Sequence, residues 1–181
     1  DRAGVVAVAE PRDHYRDHIA RTYGVDEGAT FTDWRQLAEQ PRLADAAIIS
    51  TQDAMHVEPA VALAGKGYHI LLEKPMAPNE AGCRQIVDAA IQADIIFAVC
   101  HVMRYTNYTQ ALKQMLDDGL IGEVVSLQHL EPVGHWHQAH SFVRGNWGNE
   151  AASSPMLLAK SCHDLDWLRY VMGESCQAIQ S

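Results

Sequence analysis

Basic runs are missing from this chain. Fourteen lysines and arginines stand against 23 aspartates and glutamates, for a net charge of −9. Phosphate backbones are held by clustered cations, so this balance excludes a nucleic-acid partner. Long apolar runs are missing too. No stretch approaches the roughly 20 residues that cross a bilayer, so no membrane partner is expected. The first residues lack the charged-then-apolar pattern of a signal peptide. The four cysteines, Cys83, Cys100, Cys162 and Cys176, are scattered and form no C-x-x-C pair. Reduced thiols in a cytoplasmic protein are the expectation. Internal repeats and low-complexity segments are absent, and no G-x-G-x-x-G occurs anywhere.

What is present has the balance of an ordinary globular protein. The 181 residues are 48% hydrophobic and 20% charged, enough for one sizeable domain or parts of two. The first half alternates. Residues 4–10 (GVVAVAE) read as a short buried strand. Residues 12–24 read as a helix with Tyr15, Ile19 and Tyr23 on one face and Gly24 as its stop. A short helix follows in TDWRQLAEQ, capped by Thr32 or Asp33. Strands at 46–51, 69–73 and 95–101 then alternate with helices at 54–67 and 79–93. Gly67 closes the first of these helices, and Pro59 sits in its first turn or kinks it; Asn79 caps the second. Strands separated by helices of this length imply right-handed βαβ units and a parallel sheet. After residue 101 the pattern changes to an amphipathic helix at 108–119, a longer strand at 123–133 and an irregular stretch at 134–152. A helix at 162–173, ending at Gly173, closes the series. The expected fold class is α/β: a Rossmann-type parallel sheet over 1–103, incomplete at its N-terminus, followed by the start of an α+β domain over 104–181.

Glu10 ends the first strand. In a dinucleotide-binding sheet, an acidic residue about 20 positions after the glycine-rich loop accepts bonds from the ribose hydroxyls and repels a 2′-phosphate. That favours NAD over NADP, while Arg12 nearby leaves room for NADP. The same residue also suits a strand that has simply reached solvent. The chain starts where the second strand of such a fold starts, so the first strand, its phosphate loop and the first helix are expected to be absent from it.

HILLEKPM, residues 69–76, places an apolar run directly before a carboxylate, an ammonium and a proline. Ile70, Leu71 and Leu72 suit a parallel strand buried on both faces. Ligands of open α/β sheets bind at the carboxyl ends of the strands, so Glu73 and Lys74 stand where a nicotinamide lies. A lysine there can donate to a substrate oxygen and stabilise developing negative charge. A cis Lys74–Pro75 bond is plausible. A solvated ion pair at a strand end is the bland alternative.

The stretch AAIIST…H…ALAGKGYHILLEKPM, with AEPRDHYRDHIARTYG before it and HVMRYTNYTQALKQMLDDGLIGEVVSLQ and LLAKSCHDLDWLRYVMG after it, resembles the glucose–fructose oxidoreductase and inositol dehydrogenase (Gfo/Idh/MocA) family over nearly its whole length. By that likeness the chain is a fragment, lacking the N-terminal glycine-rich segment and much of the C-terminal domain. The resemblance implies roles. Lys74 contacts substrate, and Glu73 lies on the cofactor side. Thr51 and His56 line the cofactor, although Gln52 and Asp53 stand where the family has proline and asparagine. Arg104 is the arginine leading into the second domain and belongs to the cofactor set. His163 takes the substrate hydroxyl proton. Many members carry an aspartate four residues before that histidine; here the position is Ala159, and Lys160 stands three before. That spacing puts Lys160 and His163 on one helix face, which makes Lys160 a further candidate for proton exchange. Asp164 and Asp166 suit the helix's early, dipole-favoured positions. The resemblance also implies a homo-oligomer when full-length, paired through the second domain.

His129, His135, His137 and His140 crowd one region with Glu131, Trp136 and Trp147. H-x-H in a strand points two imidazoles to one face, a workable pair of metal ligands. No full ligand set at tight spacing appears, so no metal is expected. His137, Arg144 and Trp147 instead suit the lining of a polar substrate pocket. The leading expectation is an NAD(P)-dependent oxidoreductase, with NAD favoured, that moves hydride between nicotinamide and a secondary alcohol or ketone of a sugar, cyclitol or similar polyol. The alternatives are a non-catalytic NAD(P)-binding homologue and a metal-dependent hydrolase built on the histidines.

Overall fold

A computed structural model describes residues 3–145, 148, 149 and 154–180. The chain divides into two compact units, residues 1–99 and 100–181.

The first unit opens with β1 (Val8–Ala9) and α1 (Asp13–Tyr23). Gly24 terminates α1 at φ 67, a left-handed conformation that glycine adopts without a Cβ penalty. β2 (Thr30–Phe31) pairs parallel to β1 and was not evident from the sequence. Two residues show no periodicity, so pairing alone identifies them as a strand. α2 (Trp34–Glu39) begins at Asp33, not Thr32. Asp33 accepts from the backbone N–H of Arg35, and Gln36 reaches back to complete a capping box. β3 (Ala46–Ile49), α3 (Val57–Gly65), β4 (His69–Leu72), α4 (Glu80–Gln92) and β5 (Phe97–Val99) follow in alternation. Pro59 lies in the first turn of α3, where its missing N–H costs nothing. Asn79 caps α4, accepting from Gly82 N at 2.9 Å.

The strands are parallel and form two sheets, β1–β2 and β3–β4–β5. The register of the larger sheet sets Ala47, Ile70 and Phe97 abreast, then Ile48, Leu71 and Ala98, then Ile49, Leu72 and Val99. Side chains alternate between faces along a strand. Ile49, Ile70 and Leu72 are therefore buried together with Ala60, Leu63, Ala64 and Ile86 from α3 and α4. Ile48 and Leu71 point the other way, 72% and 38% exposed. The expectation of a strand buried on both faces thus holds for one face only among the described residues, because both helices lie on the same side.

Gly82 shows how tightly that side is packed. A Cβ there lies 2.9 Å from Val57 Cγ2 and 3.0 Å from Ala77 Cβ. In an exposed helix, glycine to alanine gains up to about 1 kcal/mol. Here overpacking costs typically 1–3 kcal/mol, so Gly82→Ala is expected to lower stability on balance. A urea melt in which Gly82→Ala unfolds at a higher midpoint than the parent contradicts this.

The second unit contains a single 3-10 turn (Val102–Tyr105), α5 (Asn107–Asp117), α6 (His135–Gln138), a π-helical turn (Ala139–Arg144), α7 (Met156–Ala159) and α8 (Cys162–Met172) among its described residues. Thr106 caps α5, and Gly173 ends α8 at φ 73. Trp167 and Val171 of α8 are buried, and the Trp167 indole donates to Thr109 Oγ1 of α5 at 2.8 Å. The strand expected at 123–133 does not form. The segment is largely exposed, with Val125 at 93%, and no described strand forms a ladder with it. Alternating hydrophobicity cannot make a strand without a neighbour to complete the ladder. Residues 135–144 are helical rather than irregular, so His135 and His137 do not share a strand face, and two positions along a helix diverge. No described helix is long and apolar enough to cross a membrane.

Candidate active site

In the first unit the candidate residues gather where strands end. β1 stops before Glu10, whose carboxylate takes both arms of Arg12, Nε at 2.7 Å and Nη2 at 2.9 Å, and the Arg12 backbone N–H at 2.9 Å. Arg16 donates to the Glu10 carbonyl at 2.8 Å. The side-chain bonds from Arg12 hold the Glu10 carboxyl below the usual carboxylate range against a smaller opposing effect of burial. A depressed carboxyl contributes stability above its unfolded pKa and loses it as pH falls through the folded value. Arg12 also lies 4.3 Å over the Tyr15 ring. Glu10 and Arg12 thus present one coupled unit, a carboxylate with a cation bonded to it.

Thr51 lies two residues past β3 and donates its hydroxyl to Met55 O at 3.3 Å. His56 is 1% exposed. Among the described residues its ring bonds only main-chain carbonyls: Nδ1 to Pro75 at 2.9 Å and Met76 at 3.3 Å, Nε2 to Thr51 at 3.0 Å. That places it beneath the strand ends, and both ring nitrogens are used within the protein. The resemblance had implied a cofactor-lining role. Glu73 continues the ladder, its N–H donating to Ile49 O at 2.9 Å, and its carboxylate accepts from the Lys74 N–H at 3.1 Å. Lys74 is half-buried between Leu72, which is fully buried, and buried Pro75. The Lys74–Pro75 bond is cis.

In the second unit α8 organises the chemistry. Arg104 forms a bidentate pair with Asp166, at 2.7 and 2.5 Å, and lies 5.2 Å over the Tyr170 ring. The bonds to Asp166 push the Arg104 pKa upward. The guanidinium fork, implied to serve the cofactor, is therefore committed to tying the turn at 102–105 to α8. His101 Nε2 lies 4.0 Å from the same Asp166, and its ring stands edge-on to His163, centroids 6.0 Å apart at 83°. His163 is thus placed beside His101, whose ring in turn approaches Asp166. His101 was not among the sequence candidates.

One residue along, Asp164 is 6% exposed and bonds His129 Nε2 at 2.7 Å. The His129 ring lies 5.0 Å from Trp167. Lys160 ends α7 and lies outside α8, with its ammonium 2.9 Å from Glu131 Oε1. The expected shared face with His163 assumed one continuous helix, and the break at residues 160–161 removes that premise. His129, Glu131 and Asp164 offer ligand atoms within 4.8 Å of one another, a set that could hold a metal ion. In this arrangement His129 and Asp164 bond each other, and Lys160 supplies the positive charge at Glu131. His135, His137 and His140 lie outside that group. His137 stacks on Phe142 at 6.3 Å, and Arg144 is exposed at the end of the π-helical turn. Trp147 lies outside the described residues.

Residues 1–101 match a family model described as an oxidoreductase family with an NAD-binding Rossmann fold, and residues 113–178 match its C-terminal alpha/beta domain. The chain belongs to the Gfo/Idh/MocA oxidoreductase family. It is 31% identical to an inositol 2-dehydrogenase of Klebsiella pneumoniae over 137 residues, 75% of this chain and 37% of that protein. It is 29% identical to a 2,7-anhydro-N-acetylneuraminate hydratase of Escherichia coli over 138 residues, 76% of this chain and 36% of that protein. A crystallised levoglucosan dehydrogenase, in complex with NADH and levoglucosan, superposes with a TM-score of 0.75 at 26% identity, over 94% of this chain and 45% of that one. The chain therefore spans less than half the length of these relatives. Its α/β fold with parallel sheets is that of the family's dehydrogenases.

The residues present fit one side of a dinucleotide. Glu10 places a carboxylate at the end of β1, where ribose hydroxyls bind in such folds, and Lys74 stands two residues past β4. The glycine-rich turn that cradles phosphates has no counterpart in this sequence.

Proposed function

We propose that the full-length protein is an NAD-dependent dehydrogenase or reductase acting on a secondary alcohol or ketone of a sugar, cyclitol or related polyol. The observation that carries this reading is Lys74. A half-buried lysine stands two residues past β4, a strand buried on one face, at the carboxyl edge of a parallel sheet, in a chain of this family. Bound nicotinamide supplies the carbon that accepts or returns hydride. Lys74 holds the reacting oxygen and stabilises the negative charge that grows on it. His163 takes the hydroxyl proton on oxidation and returns it on reduction. Lys160, paired with Glu131, is the weaker candidate for that transfer.

The relatives' names favour ring-shaped polyols and anhydro-sugars as the class to test. The experiment is the full-length protein with NAD and a panel of cyclitols, aldoses and anhydro-sugars, followed at 340 nm. Turnover of at least one supports the proposal. A panel that gives none, from protein that binds NAD, favours the non-catalytic homologue. Hydrolysis of a panel member without change at 340 nm, lost on chelation and restored by a divalent metal, favours the hydrolase.

The preference for NAD rests on Glu10. Bonds to a charged acceptor are worth about 1.5–3 kcal/mol. Glu10→Ala in the full-length protein is therefore expected to weaken NAD binding about tenfold or more and NADP binding less, since it also frees Arg12 for a 2′-phosphate. Calorimetry showing equal losses for both cofactors removes Glu10 from the ribose site.

A further inference from the structure

We infer that His129, Glu131 and Asp164 form a binding site for one divalent transition-metal ion, with zinc the best fit, which fastens residues 123–133 to α8. The three side chains offer ligand atoms that all lie within 4.8 Å of one another. Tight sequence spacing does not bring them together, since Asp164 lies 35 positions from His129. His129 and Glu131 stand two residues apart on one extended segment, and Asp164 lies in the first turn of α8. One imidazole nitrogen with two carboxylate oxygens is a mixed donor set that suits zinc; calcium and magnesium take shells made of oxygen. Zinc ligands sit about 2.0–2.2 Å from the ion, so tetrahedral neighbours are about 3.4 Å apart. His129 Nε2 and Asp164 Oδ1, now 2.7 Å apart, part slightly to admit the ion, and the Glu131 carboxylate closes on it. Water completes the tetrahedron.

A second observation points to a ligand at the same place. The Asp164 side chain is 9% exposed, and its Oδ2 is buried with no hydrogen-bond partner among the described residues. His129 meets Oδ1 alone. A buried carboxylate with an unmet oxygen bears the cost of its desolvation. The group also draws a cation in another form, since the Lys160 ammonium lies 2.9 Å from Glu131 Oε1. One positive charge at the outer carboxylate leaves the inner one unmet, while a divalent ion among the three side chains answers both. Lys160 and the metal therefore compete for Glu131. Glu131 is the most exposed of the three and gives the ion its path from solvent. The His129 ring lies 5.0 Å from Trp167, which is buried and bonded to Thr109, so the imidazole rests on a fixed support. The consequence is mechanical. Residues 123–133 form no ladder with any described strand, and an ion held from both sides joins them to the helix that carries His163.

The test uses the full-length protein, stripped with a chelator and dialysed. It needs neither NAD nor a substrate, so it stands or falls apart from the dehydrogenase reading. Titration calorimetry with zinc chloride is expected to show one equivalent bound, and Glu131→Gln and Asp164→Asn each to weaken it about tenfold or more. Cobalt(II) in place of zinc is expected to give a visible absorption band that the same two variants lose. Lys160→Met gives the opposite sign. It removes the competing ammonium, so zinc affinity is expected to rise about threefold or more. A variant that folds poorly loses affinity and cannot imitate that gain. Exposed histidines elsewhere can also take up zinc, but binding there is indifferent to Glu131 and Lys160. No stoichiometric binding by the parent overturns the inference. Binding that neither Glu131→Gln nor Lys160→Met alters is an adventitious ion only, and overturns it equally.

Discussion

Turnover of the full-length protein is expected to fall by about 10²–10³ when Lys74 is replaced by methionine, the loss typical of removing one preorganised donor. Methionine is the informative change. It preserves a long apolar stem, so what the half-buried side chain packs against is largely retained and only the ammonium is lost. Thermal stability is expected to change little, since the bonds that fix the segment, Glu73 N to Ile49 O and His56 to Pro75 O, are made by other groups. Steady-state kinetics on the substrate found by the panel decide the matter. Near-normal turnover by Lys74→Met reduces Glu73–Lys74–Pro75 to a strand end, and the kinship to one of fold without shared chemistry.

His163→Asn is the second large effect. Removal of a general base costs about 10²–10⁴ in rate. Asparagine keeps a polar group of similar reach beside His101, and the Arg104–Asp166 pair that holds α8 to the preceding turn is untouched. The discriminating measurement is rate against pH. Loss of an enzymic base leaves hydroxide as the acceptor, so the variant's residual oxidation rate rises steadily with pH, where the parent's levels off. A variant whose pH profile has the parent's shape, at whatever rate, shows that His163 is not the proton acceptor. Lys160 then becomes the next candidate in spite of its pairing with Glu131.

Legibility followed the range of the interactions. α1, α4 and α5 were readable because their apolar spacing, caps and stop glycines lie within one helix length. Asn79 and Gly24 act on neighbours three or four residues away. The strand-end cluster was half legible. Residues after β3 and β4 announce themselves through the switch from apolar to polar, but the sequence gives no sign that His56 turns inward to carbonyls of residues 51, 75 and 76. The second unit was least legible. Arg104 and Asp166 are 62 positions apart, and His129 and Asp164 are 35 apart. Periodicity carries no information at that distance. The segment at 123–133 has the alternation of a strand, yet strand formation depends on a partner that local pattern cannot supply. Lys160 was misplaced for a smaller reason, a break of two residues between α7 and α8.

The one-sided larger sheet bears on how the chain behaves as a colloid. β1 and β3 each pair on one side only among the described residues, and Ile48 and Leu71 lie on the uncovered face. Open ladder edges beside apolar surface are templates for association between copies. Opposing this is a net charge of −9, which keeps copies apart over a screening length of about 10 Å at 0.1 M salt and about 3 Å at 1 M. The two influences scale differently with ionic strength. Electrostatic repulsion weakens as salt is added, while pairing of backbone groups and burial of Ile48 and Leu71 do not. The 181-residue chain is therefore expected to stay dispersed best in dilute buffer at a pH well above its pI of about 5.5, and light scattering is expected to rise as salt is added.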